Sequence, residues 1–165
     1  MKDHNAYIAI GSNQGDKISN CQNGMTLFIE KTNSVLISVS QYYITEPLYY
    51  EDQDWFLNGV FQIATQLEPE ALIIAIKSVE MAFGRESKSV RYGPRPLDLD
   101  ILLYDHEIYQ SDRLQIPHPM MHERRFVLEP MCDIAPDLIH PVLNMSMRYM
   151  LNQLGDKDKK VIPIK

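Results

Sequence analysis

Hydrophobic residues along this chain alternate between the two-residue period of β-strands and the three- to four-residue period of helices. The apolar run Ala6–Ile10 predicts a buried strand that ends at Gly11. Apolar positions recur at helical spacing over residues 16–31 and predict a helix. The β-branched and aromatic residues of Val35–Thr45 predict one long strand, and the proline-containing segment 46–54 predicts a loop.

The second half of the chain continues this pattern. Phe56–Leu67 predicts a strand, and Pro69 begins a helix that ends at Gly84. Further predicted elements are a basic loop over 85–96, a strand over Leu97–Tyr104, a hairpin over Ile108–Ile116, and helices over Phe126–Ile134 and Ser146–Leu154. The order strand–helix–strand–strand–helix–strand is the split βαβ pattern of an α+β, ferredoxin-like fold. We therefore expect one domain over residues 1–165, with helices packed on an antiparallel sheet and an extra C-terminal hairpin and helices.

Two aspartates alternate with apolar residues at the start of the strand over Leu97–Tyr104. Residues two apart on a strand share a face. The predicted apolar face consists of Leu97, Leu99, Ile101 and Leu103. Asp98 and Asp100 then project together from the other face, where they need cations because adjacent carboxylates repel each other. Mg²⁺ is such a cation when phosphate oxygens complete its shell, and two solvated acids on an edge strand are the alternative.

Charge and composition restrict the ligand. The chain has 16 lysines and arginines, 22 acidic residues and a net charge of −6, which argues against a nucleic-acid or membrane partner. Six of its seven arginines lie within residues 85–125, around the aspartate pair, and indicate a nucleoside triphosphate. Cys21 and Cys132 show no metal-ligand spacing, and the N-terminus has no apolar signal core, so we expect a cytoplasmic protein, acting as a monomer.

The segment 91–101, with the sequence RYGPRPLDLDI, closely resembles the signature of the 6-hydroxymethyl-7,8-dihydropterin pyrophosphokinase family. Further segments resemble this family in the same order: residues 6–13, 45–48, 56–58, 117–119 and 123–128. The resemblance implies transfer of pyrophosphate from ATP, the co-substrate, to the hydroxymethyl group of 6-hydroxymethyl-7,8-dihydropterin. AMP and the pterin diphosphate would be the products, in folate biosynthesis.

The resemblance also implies roles for individual residues. Asp98 and Asp100 would hold two Mg²⁺ ions and would be catalytic together with Arg95 and with Arg85 of a flexible loop. The implied ATP-binding residues are Glu80, Arg95, Ile101, Arg113, His118 and Arg124. The implied pterin-binding residues are Thr45, Glu46, Leu48, Phe56, Asn58, Asp98 and Phe126. In this assignment two phenylalanine rings sandwich the pterin, and an asparagine amide binds its edge.

The chain departs from the usual family pattern at four positions. Tyr92 replaces a tryptophan, Phe56 a frequent tyrosine, Ser87 an arginine and Glu46 a small residue or proline. None of these changes removes a metal ligand or the asparagine. Two other classes remain open: a non-catalytic ferredoxin-like nucleotide sensor, which has no need of both aspartates, and a nucleotide phosphohydrolase, which needs a water-activating residue.

Overall fold

A six-stranded antiparallel sheet lies at the centre of the chain in the computed structural model, which describes residues 3–84, 91–155 and 160–164. The strands are β1 (His4–Ser12), β2 (Val35–Val39), β3 (Tyr43–Thr45), β4 (Phe56–Thr65), β5 (Asp98–Tyr104), the hairpin strands β6 (Tyr109–Gln110) and β7 (Gln115–Ile116), and β8 (Val161–Pro163). The helices are α1 (Lys17–Thr32), α2 (Pro69–Ala82), α3 (Arg125–Ile134) and α4 (Met147–Leu154), with a 3₁₀ turn at Met121–Glu123. No helix within the described ranges is both long and apolar enough to cross a membrane.

The order of the strands follows the split βαβ pattern. The sheet runs β5-β1-β4-β3-β8, and β2 pairs with the other end of β4. β1 therefore lies between β4 and β5 and is antiparallel to both. The chain belongs to the α+β class, and the predicted ferredoxin-like core is confirmed.

Helices cover both faces of the sheet. On one face α1 and α2 pack against the first core cluster, in which Phe28 meets Phe61 edge to face with ring centroids 6.0 Å apart. On the other face α3 and α4 supply the methionine-rich second cluster, which includes Met131, Met147 and Met150. The extra C-terminal helices thus complete a second core, and the sheet is buried between two helical layers.

Local chemistry accounts for the ends of the first two helices. The Asp16 side chain accepts a hydrogen bond from the Ser19 backbone N–H at 3.1 Å and caps α1, while Asn33 adopts a left-handed conformation with φ 49° at its other end. Pro69 occupies the first turn of α2, as predicted. Gly84 follows that helix with φ 88°, a conformation that glycine adopts at little cost.

The prediction of one long strand over Val35–Thr45 was wrong, because the segment forms β2 and β3 with a break between them. The break lies at Ser40, whose N–H donates to the Val60 carbonyl and whose hydroxyl accepts from the Val60 N–H, both at 2.9 Å. The serine side chain thus replaces a backbone acceptor, and the regular ladder stops there.

The prediction that Leu103 shares a face with Leu97, Leu99 and Ile101 was also wrong. The register with β1 shifts by one residue where Tyr7 pairs with Leu103 and Ile8 pairs with Ile101. Leu102 is therefore an extra residue in β5. Leu103 packs in the second core cluster with Leu102, whereas the other three residues pack in the first.

Gly24 lets α1 approach the beginning of β5. A Cβ atom at this position would lie 2.6 Å from one methyl carbon of Leu97, whose side chain is fully buried. Gly24→Ala is expected to lower the free energy of unfolding by up to about 2 kcal/mol, because overpacking costs about 1–3 kcal/mol and alanine returns about 1 kcal/mol of helix propensity. Denaturant unfolding monitored by circular dichroism measures the change.

The control is a volume-conserving double variant. Gly24→Ala combined with Leu97→Val should be more stable, by about 1 kcal/mol, than the sum of the two single changes predicts. Strict additivity would contradict the proposed contact.

Candidate active site

A cavity of about 400 Å³ opens at the edge of the sheet where β1 ends and β5 begins. Its walls come from the loop 46–54, the segment 91–95, the residues around His118 and the first turn of α3. Among the site residues that the sequence predicts, those that line it are Thr45, Glu46, Leu48, Phe56, Asn58, Arg95, Asp98, Asp100, His118, Arg124 and Phe126. Residues that are far apart in the chain therefore meet in one cleft.

Three further predicted site residues within the described ranges do not line this cavity. Glu80 and Ile101 are 1% and 2% exposed and lie in the interior. Arg113 lies in the exposed turn between β6 and β7. Arg85 falls outside the described residues, as does Ser87.

Asp98 and Asp100 lie on the cavity floor, as the two-residue period of a strand predicts. On the neighbouring strand β1, Asp98 pairs with Gly11 and Asp100 pairs with Ala9. Both aspartate side chains are half-buried. An Arg95 guanidinium nitrogen approaches a carboxylate oxygen of Asp98 to 3.7 Å. Two carboxylates that face an open cavity are the hard oxygen donors that Mg²⁺ takes together with phosphate oxygens and water.

The Glu80 side chain on α2 forms a hydrogen bond with the backbone of β5. Its Oε2 accepts a hydrogen bond at 3.1 Å from the backbone N–H of Leu99, the residue between the two aspartates. Lys77, one turn earlier on α2, places its ammonium 3.7 Å from the other carboxylate oxygen of Glu80. The structure thus places Glu80 where it holds β5 in position, rather than at the cavity surface.

A second group of possible metal ligands lies at the opposite ends of β1 and β5. His4, Asp105 and Glu107 bring one ligand atom each within 4.8 Å of one another. His4 Nδ1 lies 2.7 Å from an Asp105 oxygen, and the imidazole stacks on the Tyr104 ring. This hydrogen bond and this ring contact account for the cluster without an ion.

Asn58 occupies the β4 side of the cavity. Its amide nitrogen donates to the Thr45 hydroxyl at 2.7 Å, which orients the side chain. Gly11 is its direct partner on β1, and a Cβ atom on Gly11 would lie 2.5 Å from the Asn58 Oδ1. The absence of a side chain at position 11 therefore leaves room for the amide.

A hydrogen-bond network joins the loops around the cavity. The Asn13 side chain donates to Gln53 Oε1 at 2.8 Å and accepts from the Arg95 backbone N–H at 2.7 Å. Gln53 in turn donates through Nε2 to the Tyr92 carbonyl at 2.7 Å. The Tyr49 and Tyr92 rings are in contact, with their centroids 4.4 Å apart. The loop 46–54 is thereby tied to the segment that leads into β5.

His118 and Arg124 lie close to each other in the wall of the cavity. Burial, and then the Arg124 charge, lower the pKa of His118 to about 4. The Nδ1 atom of His118 accepts from the Met120 N–H at 3.2 Å, so the neutral ring carries its proton on Nε2 and can donate it. The Arg124 Nε is buried and has no hydrogen-bond partner among the described residues. A half-buried guanidinium with one unused N–H donor suits an anionic ligand.

A model of the 7,8-dihydro-6-hydroxymethylpterin-pyrophosphokinase (HPPK) family matches residues 7–136. The chain belongs to this family. It is 42% identical over 130 residues to the 2-amino-4-hydroxy-6-hydroxymethyldihydropteridine pyrophosphokinase of Bacillus subtilis. These residues are 79% of this chain and 77% of that protein. The protein of the same name from Pseudomonas aeruginosa is 41% identical over 135 residues, 82% of this chain and 83% of its own.

Longer relatives of the HPPK family also match. The folic acid synthesis protein fol1 of Schizosaccharomyces pombe is 42% identical over 149 residues, which are 90% of this chain and 20% of that protein. The chain spans about a fifth of the length of this relative and of those from Dictyostelium discoideum and Pneumocystis carinii.

Solved structures show the same fold. An HPPK-DHPS in complex with substrates superposes with a TM-score of 0.75 at 14% identity, over 93% of this chain and 43% of that chain. The wild-type Plasmodium falciparum HPPK-DHPS with pteroate gives a TM-score of 0.74 at 16% identity, over 92% and 42% of the two chains. The HPPK fold expected from the sequence is therefore confirmed.

Several residues to which the sequence analysis gave no role also line this HPPK cavity. They include Gly11, Tyr49 and Lys77, and Arg91 and Tyr92 of the signature segment line it as well. A signal existed for Gly11, because a glycine at the end of an apolar strand marks a turn or a close approach. Tyr49 and Lys77 give no local signal, since only the tertiary fold brings them to the cavity.

The pKa of His118 tests the electrostatics of this site. In the protein without Mg²⁺ or ATP, Arg124→Gln should raise the pKa of His118 from about 4 part of the way towards its ordinary value of 6.5, because one of its two lowering causes is removed. Titration of the imidazole nitrogens by NMR measures the shift.

The control is Arg125→Gln, which removes the neighbouring arginine that pairs with Glu129 at 2.9 Å. That change should leave the pKa of His118 where it is. Equal shifts in the two variants would show that net charge, and not the position of Arg124, determines the pKa.

Proposed function

We propose that the chain transfers the pyrophosphoryl group of ATP to the hydroxymethyl oxygen of 6-hydroxymethyl-7,8-dihydropterin and releases AMP. One observation carries the proposal: a single cavity is lined by the aspartate pair, by Arg95 and Arg124, and by two phenylalanines and the oriented Asn58 amide. The charged groups suit a triphosphate, and the aromatic rings with the amide suit a flat ring with polar edges. Membership of the HPPK family supports the same reaction.

The pterin occupies the slot between Phe56 and Phe126 in this proposal. Both rings line the cavity, and aromatic faces above and below a flat heterocycle bury it with little loss of side-chain entropy. Asn58 hydrogen-bonds the edge of the ring, with its amide oriented by Thr45. Leu48 closes this part of the cavity from the loop.

The triphosphate lies against Arg95, His118 and Arg124. The two guanidiniums offer forked donors to phosphate oxygens, and neutral His118 offers its Nε2–H. Asp98 and Asp100 would hold Mg²⁺, which supplies charge neutralisation on the phosphates when it is bound. Arg85, which lies outside the described residues, stays a predicted loop contact.

The transfer needs little covalent chemistry from the protein. The pterin hydroxymethyl oxygen attacks the β-phosphorus of ATP, the bond from that phosphorus to the oxygen bridging the α- and β-phosphates breaks, and AMP leaves with that electron pair. The hydroxyl proton is lost to solvent or to a phosphate oxygen. The protein contributes alignment of the two substrates, stabilisation of phosphate charge and exclusion of water.

Asp98→Asn tests the proposed reaction. Pterin-dependent release of AMP from ATP with Mg²⁺ should fall by roughly a hundredfold or more, because a metal ligand at the reacting phosphates contributes several kcal/mol. The assay separates AMP from ADP by chromatography, with and without 6-hydroxymethyl-7,8-dihydropterin.

Asp105→Asn is the matched control, since it is the same change at the opposite end of β5 and keeps an oxygen for the Asn5 N–H. It should retain the wild-type rate. ADP formed without pterin would indicate a phosphohydrolase, and ATP binding without turnover would indicate a nucleotide sensor.

Gly11→Ala tests the pterin subsite. The new methyl group would displace the Asn58 amide, so the dissociation constant for the pterin should rise by about tenfold, the equivalent of one lost hydrogen bond. Calorimetric titration in the presence of a non-hydrolysable ATP analogue measures it. The affinity for the analogue alone should stay unchanged.

In an Asn58→Ala background the same Gly11→Ala change should have no further effect, because the amide that it displaces is already gone. An equal loss in both backgrounds would contradict this account of Gly11.

A further inference from the structure

The C-terminal strand β8 extends the sheet beside β3. Ile44 pairs with Ile162 and Thr45 with Val161, and the Ile164 N–H donates to the Tyr42 carbonyl at 3.0 Å. β8 lies beyond residue 136, where the match to the HPPK family ends. It lies against β3, the strand that leads into the loop 46–54.

Glu46 and Lys160 close this pairing with two hydrogen bonds. The Glu46 N–H donates to the Lys160 carbonyl at 3.0 Å, and the Lys160 N–H donates to the Glu46 Oε1, also at 3.0 Å. Glu46 thus binds the Lys160 backbone through both its own backbone N–H and its carboxylate. Hydrogen bonds to a carboxylate are stronger than those between neutral groups.

The position of this contact connects it to the cavity. Glu46 is the first residue after β3 and the first of the loop, and it lines the cavity between Thr45 and Leu48. Thr45 orients the Asn58 amide through its hydroxyl. A shift at Glu46 would therefore move the neighbours that define the pterin side of the cavity.

We propose that β8, through the Glu46–Lys160 contact, is a positioning element for pterin binding, with Glu46 as its positioning residue; this rests on the proposed function. A loop that is fixed at its first residue loses less conformational entropy when the pterin binds. The contact adjoins Thr45, which orients the Asn58 amide, so we expect it to act on the pterin and not on ATP.

Two substitutions remove the same hydrogen bond from opposite sides. Glu46→Ala deletes the acceptor, whereas Lys160→Pro deletes the backbone donor and leaves the carbonyl acceptor and the cavity untouched. Glu46→Gln keeps an oxygen acceptor. Lys160→Ala keeps the backbone N–H and controls for the loss of the lysine charge.

Steady-state AMP release is measured for the wild type and each variant, with either substrate varied. Glu46→Ala and Lys160→Pro should each raise KM for the pterin by about tenfold, the lower limit for a hydrogen bond to a charged group. KM for ATP and kcat at saturating pterin should stay within about twofold, and the double variant should be no worse than either single one. Glu46→Gln should recover most of the affinity, and Lys160→Ala should match the wild type.

The outcomes separate this inference from the function on which it rests. If the wild type makes no pterin-dependent AMP, the proposed function and the inference both fall. If the wild type is active and Glu46→Ala leaves KM for the pterin unchanged, only the inference falls. It also falls if Lys160→Pro raises KM for both substrates equally, or lowers kcat in proportion to a loss of folded protein, since β8 would then serve stability alone.

Discussion

The register of β1 between β4 and β5 is the constraint on which the site depends. Gly11 pairs with Asn58 on one side and with Asp98 on the other. Directly opposed residues of antiparallel strands project to the same face, so one backbone position brings the amide and the carboxylate together. A slip of one residue in either pairing would turn one of these side chains to the opposite face.

The same register explains why a glycine stands between them. Any side chain at position 11 would occupy the space into which the Asn58 amide oxygen projects. At position 11, β1 thus contributes no functional group and instead leaves space for the Asn58 amide. Its pairing partners contribute the chemistry, and the two helical layers hold the three strands in place.

The charge of the cavity depends on where its ionised side chains lie rather than on the net charge of the chain. The chain is acidic overall, with a net charge of −6, yet Arg95 and Arg124 both line the cavity that holds the aspartate pair. Neutral His118 adds a donor without adding a third full charge. Such a site suits the proposed metal–triphosphate complex, whose positive and negative charges match the carboxylates and the guanidiniums of the cavity.

Much of this arrangement could be predicted from local sequence, and the rest could not, for physical reasons. The two-residue period of a strand placed Asp98 and Asp100 on one face. It failed at Leu103, because a bulge depends on the partner strand and leaves no mark in the period. The pairing of β8 with β3 joins residues more than a hundred positions apart, and a strand of three residues is too short to give a periodic signal.

The predictable features belong to the sheet, and the unpredictable ones belong to the loops around the cavity. The sheet positions the aspartates and the asparagine that line the cavity, and its strand patterns are strong because burial enforces them. The loops that complete the cavity are held by single side chains, with Gln53 joining loop to loop and Glu46 joining loop to terminal strand. Each such contact depends on one side chain and needs no periodic pattern. That side chain can therefore be replaced without disturbing the sheet. On the proposed function, substrate affinity can therefore vary through these anchoring contacts while the groups that the sheet positions stay in place.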